Sequence, residues 1–434
     1  MKTSVVSKFI NFLSFGFQQV KTTKTKNTLS LTQKTTIFKK VTSTSVSKLD
    51  EAGLSASDIG AASSELVGTV VGSLGSAGIS SSDIGGALDK ITAGAVDSLD
   101  EISGFDVNSL GAAIDNITGG ATAALGDIEV TGFSSDNLSA MVEKVTSGAT
   151  TALGNIAMAG YSSDNLSSMV EKVTSGATGA LGKIQMSGYD SADLNSMVEK
   201  VTAGATKSLG KIKMTGYDAS DLIGMIEKVT AGATAALGNI EMTGFTSDNL
   251  TLMVEKVTSG ATASMGEIQM EGFSSDNLSS MVEKVTGGAT EALGKIKMSG
   301  FDSNDLSGMV EKITTGATSA LGKIQMDGFD SNDLSVMVDK VKSGTTGGLG
   351  KIQMDGFDPN NIPSDITNSI NTGVASGNKK QPPILKEVVA VSNSTTADTN
   401  PVYIFSSSKA GTINYEGSCS SSITIASEGN NSLT

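Results

Sequence analysis

The sequence predicts a mainly α-helical solenoid of 28-residue repeats, followed by a small partial β segment. Three observations predict it. Gly followed by an aromatic residue recurs at Phe105, Phe133, Tyr161, Tyr189, Tyr217, Phe245, Phe273, Phe301, Phe329 and Phe357, always 28 residues apart. The residue after each aromatic is Asp, Ser or Thr, and four further on stands Leu or Ile, as at Ser134 and Leu138; this is a capped, stapled helix start. Past about residue 371 the repeat stops and β-type runs begin.

Composition bounds the function before any element is placed. The 434 residues carry no His, no Trp and no Arg, and one Cys, Cys419. That leaves no imidazole for acid–base work or metal ligation and no guanidinium clamp for phosphate, and a lone Cys forms no internal disulfide. The reading is therefore non-enzymatic, with no catalytic, cofactor-binding or metal residue and no cofactor. Nine of the 31 basic residues lie in residues 1–49 without an acid, so the other 22 face all 45 acids. A body that acidic is a poor nucleic-acid binder.

Residues 1–49 read as a basic N-terminal tail or a weak export signal. Lys2 and Lys8 precede a short apolar run, Phe9 to Phe17, too short to cross a bilayer. Residues 18–44 read as a Lys- and Thr-rich tail, and no other stretch is apolar enough for a transmembrane span.

Residues 50–376 read as the repeat solenoid, with looser first copies anchored at Leu54 and Ile79. In a typical unit Leu138, Met141, Val142, Val145, Ala149, Ala152 and Leu153 fall on one helical face. The stripe predicts one helix of roughly 18–20 residues closing near Gly154, with Gly154 in the left-handed C′ position. Pro359 is expected at the first helical position of the last unit. The connector carries apolar residues two apart, as at Ile184 and Met186, which suggests a short extended piece. This spacing resembles the frame of leucine-rich repeats, which implies the alternative: an α/β solenoid with one short strand and one helix per repeat. Against it, Leu74 and Ile102 run almost directly into the next helix start. About five residues reach ~17 Å, whereas a 19-residue helix is about 28 Å long. Neighbouring helices must therefore run antiparallel, and an up-down all-α array is expected.

Four columns could carry chemistry. The loop cluster Asp327, Asp330, Asn332 and Asp333 suggests Ca²⁺, but Leu306 stands in the equivalent loop where an EF-type pattern needs an oxygen, and helix capping explains the column. Met fills the columns Met141–Met337 and Met158–Met354, read as core packing. Thr146 and Thr150, with equivalents from Thr118 to Thr318, are read as small residues permitting close helix approach, with ice binding as a remote alternative. The column from Glu143-Lys144 to Asp339-Lys340 is read as a solvated face or as pairs between neighbouring helices.

Residues 377–383 read as a linker and 384–434 as β structure, with runs over 384–391, 402–405, 412–415 and 422–426. Pro401-Val402-Tyr403, Ala410-Gly411-Thr412-Ile413 and Cys419 before a Ser run resemble a bacterial immunoglobulin-like module found on secreted and surface adhesin-like proteins. The resemblance implies a bacterial, exported or cell-surface chain, truncated within that module. The expected function is a structural spacer or adhesive scaffold. The alternative is a ligand-binding solenoid recognising protein or glycan, with self-association through the unpaired C-terminal strands also expected.

Overall fold

The computed structural model describes residues 29–381, 383, 385–389, 402–407, 409–415 and 421–433, other than residues 159, 299 and 325–330. The apolar run at residues 9–17, Pro401 and Cys419 lie outside the described residues. Thirteen helices are described: α1 Leu31–Ser47, α2 Ala56–Gly72, α3 Ile84–Asp97, α4 Val107–Ala123, α5 Ser135–Ala152, α6 Ser163–Gly179, α7 Asp193–Leu209, α8 Ala219–Ala236, α9 Ser247–Ser264, α10 Ser275–Leu293, α11 Leu306–Leu321, α12 Ser331–Leu349 and α13 Ser364–Lys380.

Six helices begin at the cap the sequence shows, whereas α7 and α11 start later than the expected caps Asp190 and Asp302, at Asp193 and Leu306, with Ala192 and Asp305 at the N-cap and no side-chain cap bond. Asp106, Ser134, Ser162, Asp218, Thr246 and Ser274 are N-caps closed into reciprocal capping boxes with Ser109, Asn137, Asn165, Asp221, Asn249 and Asn277. Among the described residues the Gly before the aromatic supplies a type II turn in most units: Tyr189 N–H donates to Met186 O at 3.2 Å and Gly188 sits at φ 84°. Gly154 does not take the left-handed position expected of it. It lies in a 3₁₀ turn, Leu153–Asn155, where a Cβ would meet Lys213 N at 2.6 Å. Its missing side chain serves close packing, and the positive φ belongs to Gly160.

Every helix packs most extensively against the helix two along, not the next one. These partners are parallel and in register: a Cβ on Gly232 of α8 would meet Glu171 O and Thr174 Oγ1 of α6, each at 2.5 Å. Where one helix ends the next begins, since Tyr189 Oη donates to Leu181 O at 2.8 Å and Tyr217 Oη to Leu209 O at 2.9 Å. With α6 and α8 in register and α7 joined to the end of one and the start of the other, α7 must run antiparallel to both. The fold is thus two layers, odd-numbered helices in one and even-numbered in the other. No strand is described in the connectors, so the all-α architecture stands and the α/β alternative does not. The Leu, Val, Met and Ala stripe is continuous and buried, with Leu138, Val142, Val145 and Leu153 at 0% exposure.

Three boundaries differ from the sequence reading. The array opens earlier, within residues read as tail: Phe38, Thr42 and Val46 of α1 are buried. Lys40-Val41-Thr42-Ser43 repeats Lys144-Val145-Thr146-Ser147, a match hidden by the 25-residue spacing from Ser30 to Ser55. Pro359 lies in a turn ahead of α13, not in its first turn, because Pro363 caps the helix and delays its start to Ser364. At its other end α13 runs to Lys380, into the expected linker.

The C-terminal strands are β1 Leu385–Val389, β2 Tyr403–Ser407, β3 Gly411–Thr412, β4 Ile425–Ala426 and β5 Gly429–Leu433. They form an antiparallel sheet in the order β1-β2-β5 and a separate β3-β4 pair. Polar β5 was not legible as a strand; it pairs with β2 from Tyr403↔Leu433 to Ser407↔Gly429. Lys409 Nζ bonds Asn378 O and Gln381 O, which ties this unit to the end of α13.

Candidate interaction surface

The array's polar columns are largely consumed by its own assembly. Lys200 pairs with Glu143 at 2.8 Å, Lys256 with Glu199 at 2.7 Å and Lys312 with Glu255 at 3.0 Å in the odd layer. Lys228–Glu171, Lys284–Glu227 and Lys340–Glu283 repeat this in the even layer, at 2.6–2.8 Å. Each bridge spans 57 residues, from one helix to the next in its own layer. Burial pushes the Glu143 carboxyl up, but the Lys200 and Lys207 ammoniums outweigh it and hold it below the usual carboxylate range. Glu255 is held down likewise by Lys380 and Lys312 against the effect of burial.

The two Thr columns are inside, not on a face. Thr146 and its equivalents are buried and donate to their own helix, Thr202 Oγ1 to Glu199 O at 3.0 Å for example. The Gly two positions on, in the following helix of the layer, rests against this Thr. The second column, Thr122 to Thr318, is at 0% exposure and its hydroxyls have no hydrogen-bond partner. A lattice buried in this way offers nothing to an ice face. The helical Met column is equally internal, 0–9% exposed, and Met186 and its connector equivalents pack against the same core.

The loop carboxylates are spent on their own turns and helix starts. Asp302 Oδ1 accepts from Asn304 N at 2.8 Å, and Asp305 Oδ2 accepts from Asp302 N at 2.9 Å. Asp327 and Asp330 lie outside the described residues. Among the described residues no three metal-ligating side chains cluster, and no helix is long and apolar enough to cross a membrane.

One feature breaks the repeat's self-satisfaction. A polar groove of about 550 Å³ crosses the outer face of the even layer, from Ser64 of α2 to Lys297 beyond α10. Its floor includes Gly119, Gly120, Gly176 and Gly179; Asp115, Asn116, Ser175, Lys183, Asn239, Glu241 and Lys297 line it. Asp115 occupies the ladder position of Glu143 but is one methylene shorter, and no cation lies within ion-pair distance among the described residues. Burial raises its carboxyl pKa, with Lys172, Ser175 and Lys183 opposing. The sequence reading missed this site; its signals are Asp115 in the column that is mostly Glu and Gly119 beside the column glycine Gly120.

The geometry defines a two-layer helical solenoid with a small antiparallel β unit at its C-terminus. No protein-family model matches the chain, and a search of curated proteins returned no match.

Proposed function

We propose that the chain is a non-enzymatic, exported or cell-surface repeat protein of bacterial type that acts as a structural and adhesive scaffold. The observation that carries this reading is the register itself. Each Glu–Lys rung, Thr and Gly is spent holding a helix to its layer neighbours, which leaves few side chains for chemistry and makes a stiff, extendable body. With no His and no Arg, acid–base and phosphate chemistry have few candidates. Parallel helices pack about 8–10 Å apart, so 56 residues extend the array by only one such spacing. That is inefficient for a thin stalk and favours a plate that presents surface. The C-terminal strands, with the resemblance to an immunoglobulin-like module, support an exported setting. Their exposed Leu385, Val388, Val389 and Ile425 support association along unpaired edges.

A second reading, a solenoid that recognises protein or glycan, is favoured by the polar groove alone. The scaffold proposal is tested by labelling intact source cells with an antibody against residues 135–321. Labelling before permeabilisation is expected; labelling only afterwards would overturn the surface assignment.

A further inference from the structure

We propose that the groove across the even layer binds an uncharged, hydroxyl-rich ligand of extended shape, a segment of neutral oligosaccharide. The proposal rests on the second reading above and names its ligand.

The groove opens where the ladder acid is shortened and the position eight residues past the next rung of the layer carries no side chain. In the odd layer Lys207 of α7 reaches back 64 residues and bonds Glu143, covering the rung. The same offset from Asp115 falls on Gly179 of α6. Asp115 is one methylene shorter than Glu143 and Gly179 places no side chain over it, whereas Lys207, the one Lys of this column, covers Glu143. The Asp115 carboxylate is left on the groove lining without an ion pair among the described residues. Ser175 lines the groove beside it.

Packing demands only two of the four floor glycines. A Cβ on Gly120 or Gly176 would meet a backbone carbonyl at 2.5 or 2.2 Å, so those two are required by the layer. On Gly119 the nearest atom would be 3.4 Å away and on Gly179 3.6 Å, ordinary contact distances. Neither is required by a neighbour, and together with Gly120 and Gly176 they leave the groove floor without side chains.

The lining chooses the ligand. Asp115 and Glu241 balance Lys183 and Lys297, so the groove has no net charge to draw a polyanion or a basic peptide. No aromatic side chain and no aliphatic one larger than Ala180 lines it, so an apolar peptide side chain finds no pocket. Carboxylates that accept, ammoniums that donate and the Asn239 amide that does both match sugar hydroxyls, each of which donates and accepts. The lining is drawn from five successive even-layer units, which suits an extended chain over a compact solute.

The test is titration of the purified full chain with neutral hexasaccharides (gluco-, manno- and xylo-configured) and with a hexauronate, followed by calorimetry and amide chemical shifts. A neutral hexasaccharide is expected to bind and the hexauronate to bind at least tenfold more weakly. Gly179→Lys places an ammonium where Lys207 stands in the odd layer, filling the groove and pairing Asp115. It should weaken binding about tenfold, or ~1.4 kcal/mol, while the melting temperature holds or rises. Asn239→Ala and Lys297→Ala, both at exposed positions, should weaken binding in a folded protein even if Gly179→Lys does not fold. Binding by no neutral hexasaccharide, a preference for the hexauronate, or wild-type affinity in these variants would each overturn the proposal. Surface labelling of cells reads out separately, so loss of either result leaves the other standing.

Discussion

Helix α8 contains two glycines whose replacement by Ala should have opposite signs. In an exposed helix interior Gly→Ala gains about 1 kcal/mol from propensity. Gly224 is in that situation: the nearest atom to a new Cβ would be Ser167 Oγ at 3.7 Å. Gly224→Ala should therefore stabilise by ~0.5–1 kcal/mol. At Gly232 the new Cβ would lie 2.5 Å from Glu171 O and 2.5 Å from Thr174 Oγ1. The carbonyl belongs to α6 and cannot rotate away, so α6 and α8 must separate, straining the Lys228–Glu171 rung beside them. Overpacking of this kind costs typically 1–3 kcal/mol, which outweighs the propensity gain, and Gly232→Ala should destabilise by ~1–2 kcal/mol net. Guanidinium unfolding followed by circular dichroism at 222 nm reads both variants. Neighbour coupling spreads either effect over the array, so the sign is the decisive quantity. Stabilisation by both substitutions would refute the close glycine-mediated contact within a layer.

Five other substitutions test the polar positions. Thr206→Val removes a buried hydroxyl with no partner and should stabilise by ~1 kcal/mol in thermal unfolding; the chain already places Val46, Val71 and Val96 at this position. Tyr217→Phe should cost ~1 kcal/mol by deleting the bond to Leu209 O, whereas Tyr161→Phe, whose hydroxyl is buried and unpaired, should cost nothing. The acids should respond to pH in opposite directions. Glu143 is held below its unfolded pKa, so its stabilisation is present above that unfolded value and lost as pH falls through the folded one. Asp115 is raised, so its contribution is present below its unfolded pKa and lost as pH rises through the folded one. Glu143→Gln should thus lose stability at pH 7, on the order of 1 kcal/mol, and Asp115→Asn should gain it, with both differences shrinking in melts at acid pH.

Helix starts were legible because capping and stapling are local: Ser134, Asn137 and Leu138 decide one turn among themselves. Antiparallel direction was legible from the shortened early connectors. What was not legible was which neighbours touch, because the pattern that sets it spans two repeats. Yet the array's ends are written in the same columns. The Gly that rests on the preceding helix of a layer is replaced by Thr44 in α1 and Thr69 in α2, where no described helix precedes it. The Thr that receives the following helix is replaced by Lys342 in α12 and Asn371 in α13, where none follows. The candidate groove escaped notice for a related reason. Asp115 and Gly179 look like ordinary variation until the fold brings positions 64 residues apart together. The β unit resisted because β5 is polar, and its strand character comes from pairing with β2.

The central claim is that layer neighbours sit two repeats apart, parallel and in register. Ser139 Oγ and Ser196 Oγ are 2.9 Å apart across α5 and α7, close enough for a disulfide between cysteines at these positions. With Cys419 changed to Ser, mild oxidation of Ser139→Cys/Ser196→Cys should yield one complete intramolecular cross-link, read by mass after proteolysis. The Ser139→Cys/Ser168→Cys pair, on consecutive helices of opposite layers, should remain reduced. Cross-linking of the second pair and not the first would contradict the two-layer account.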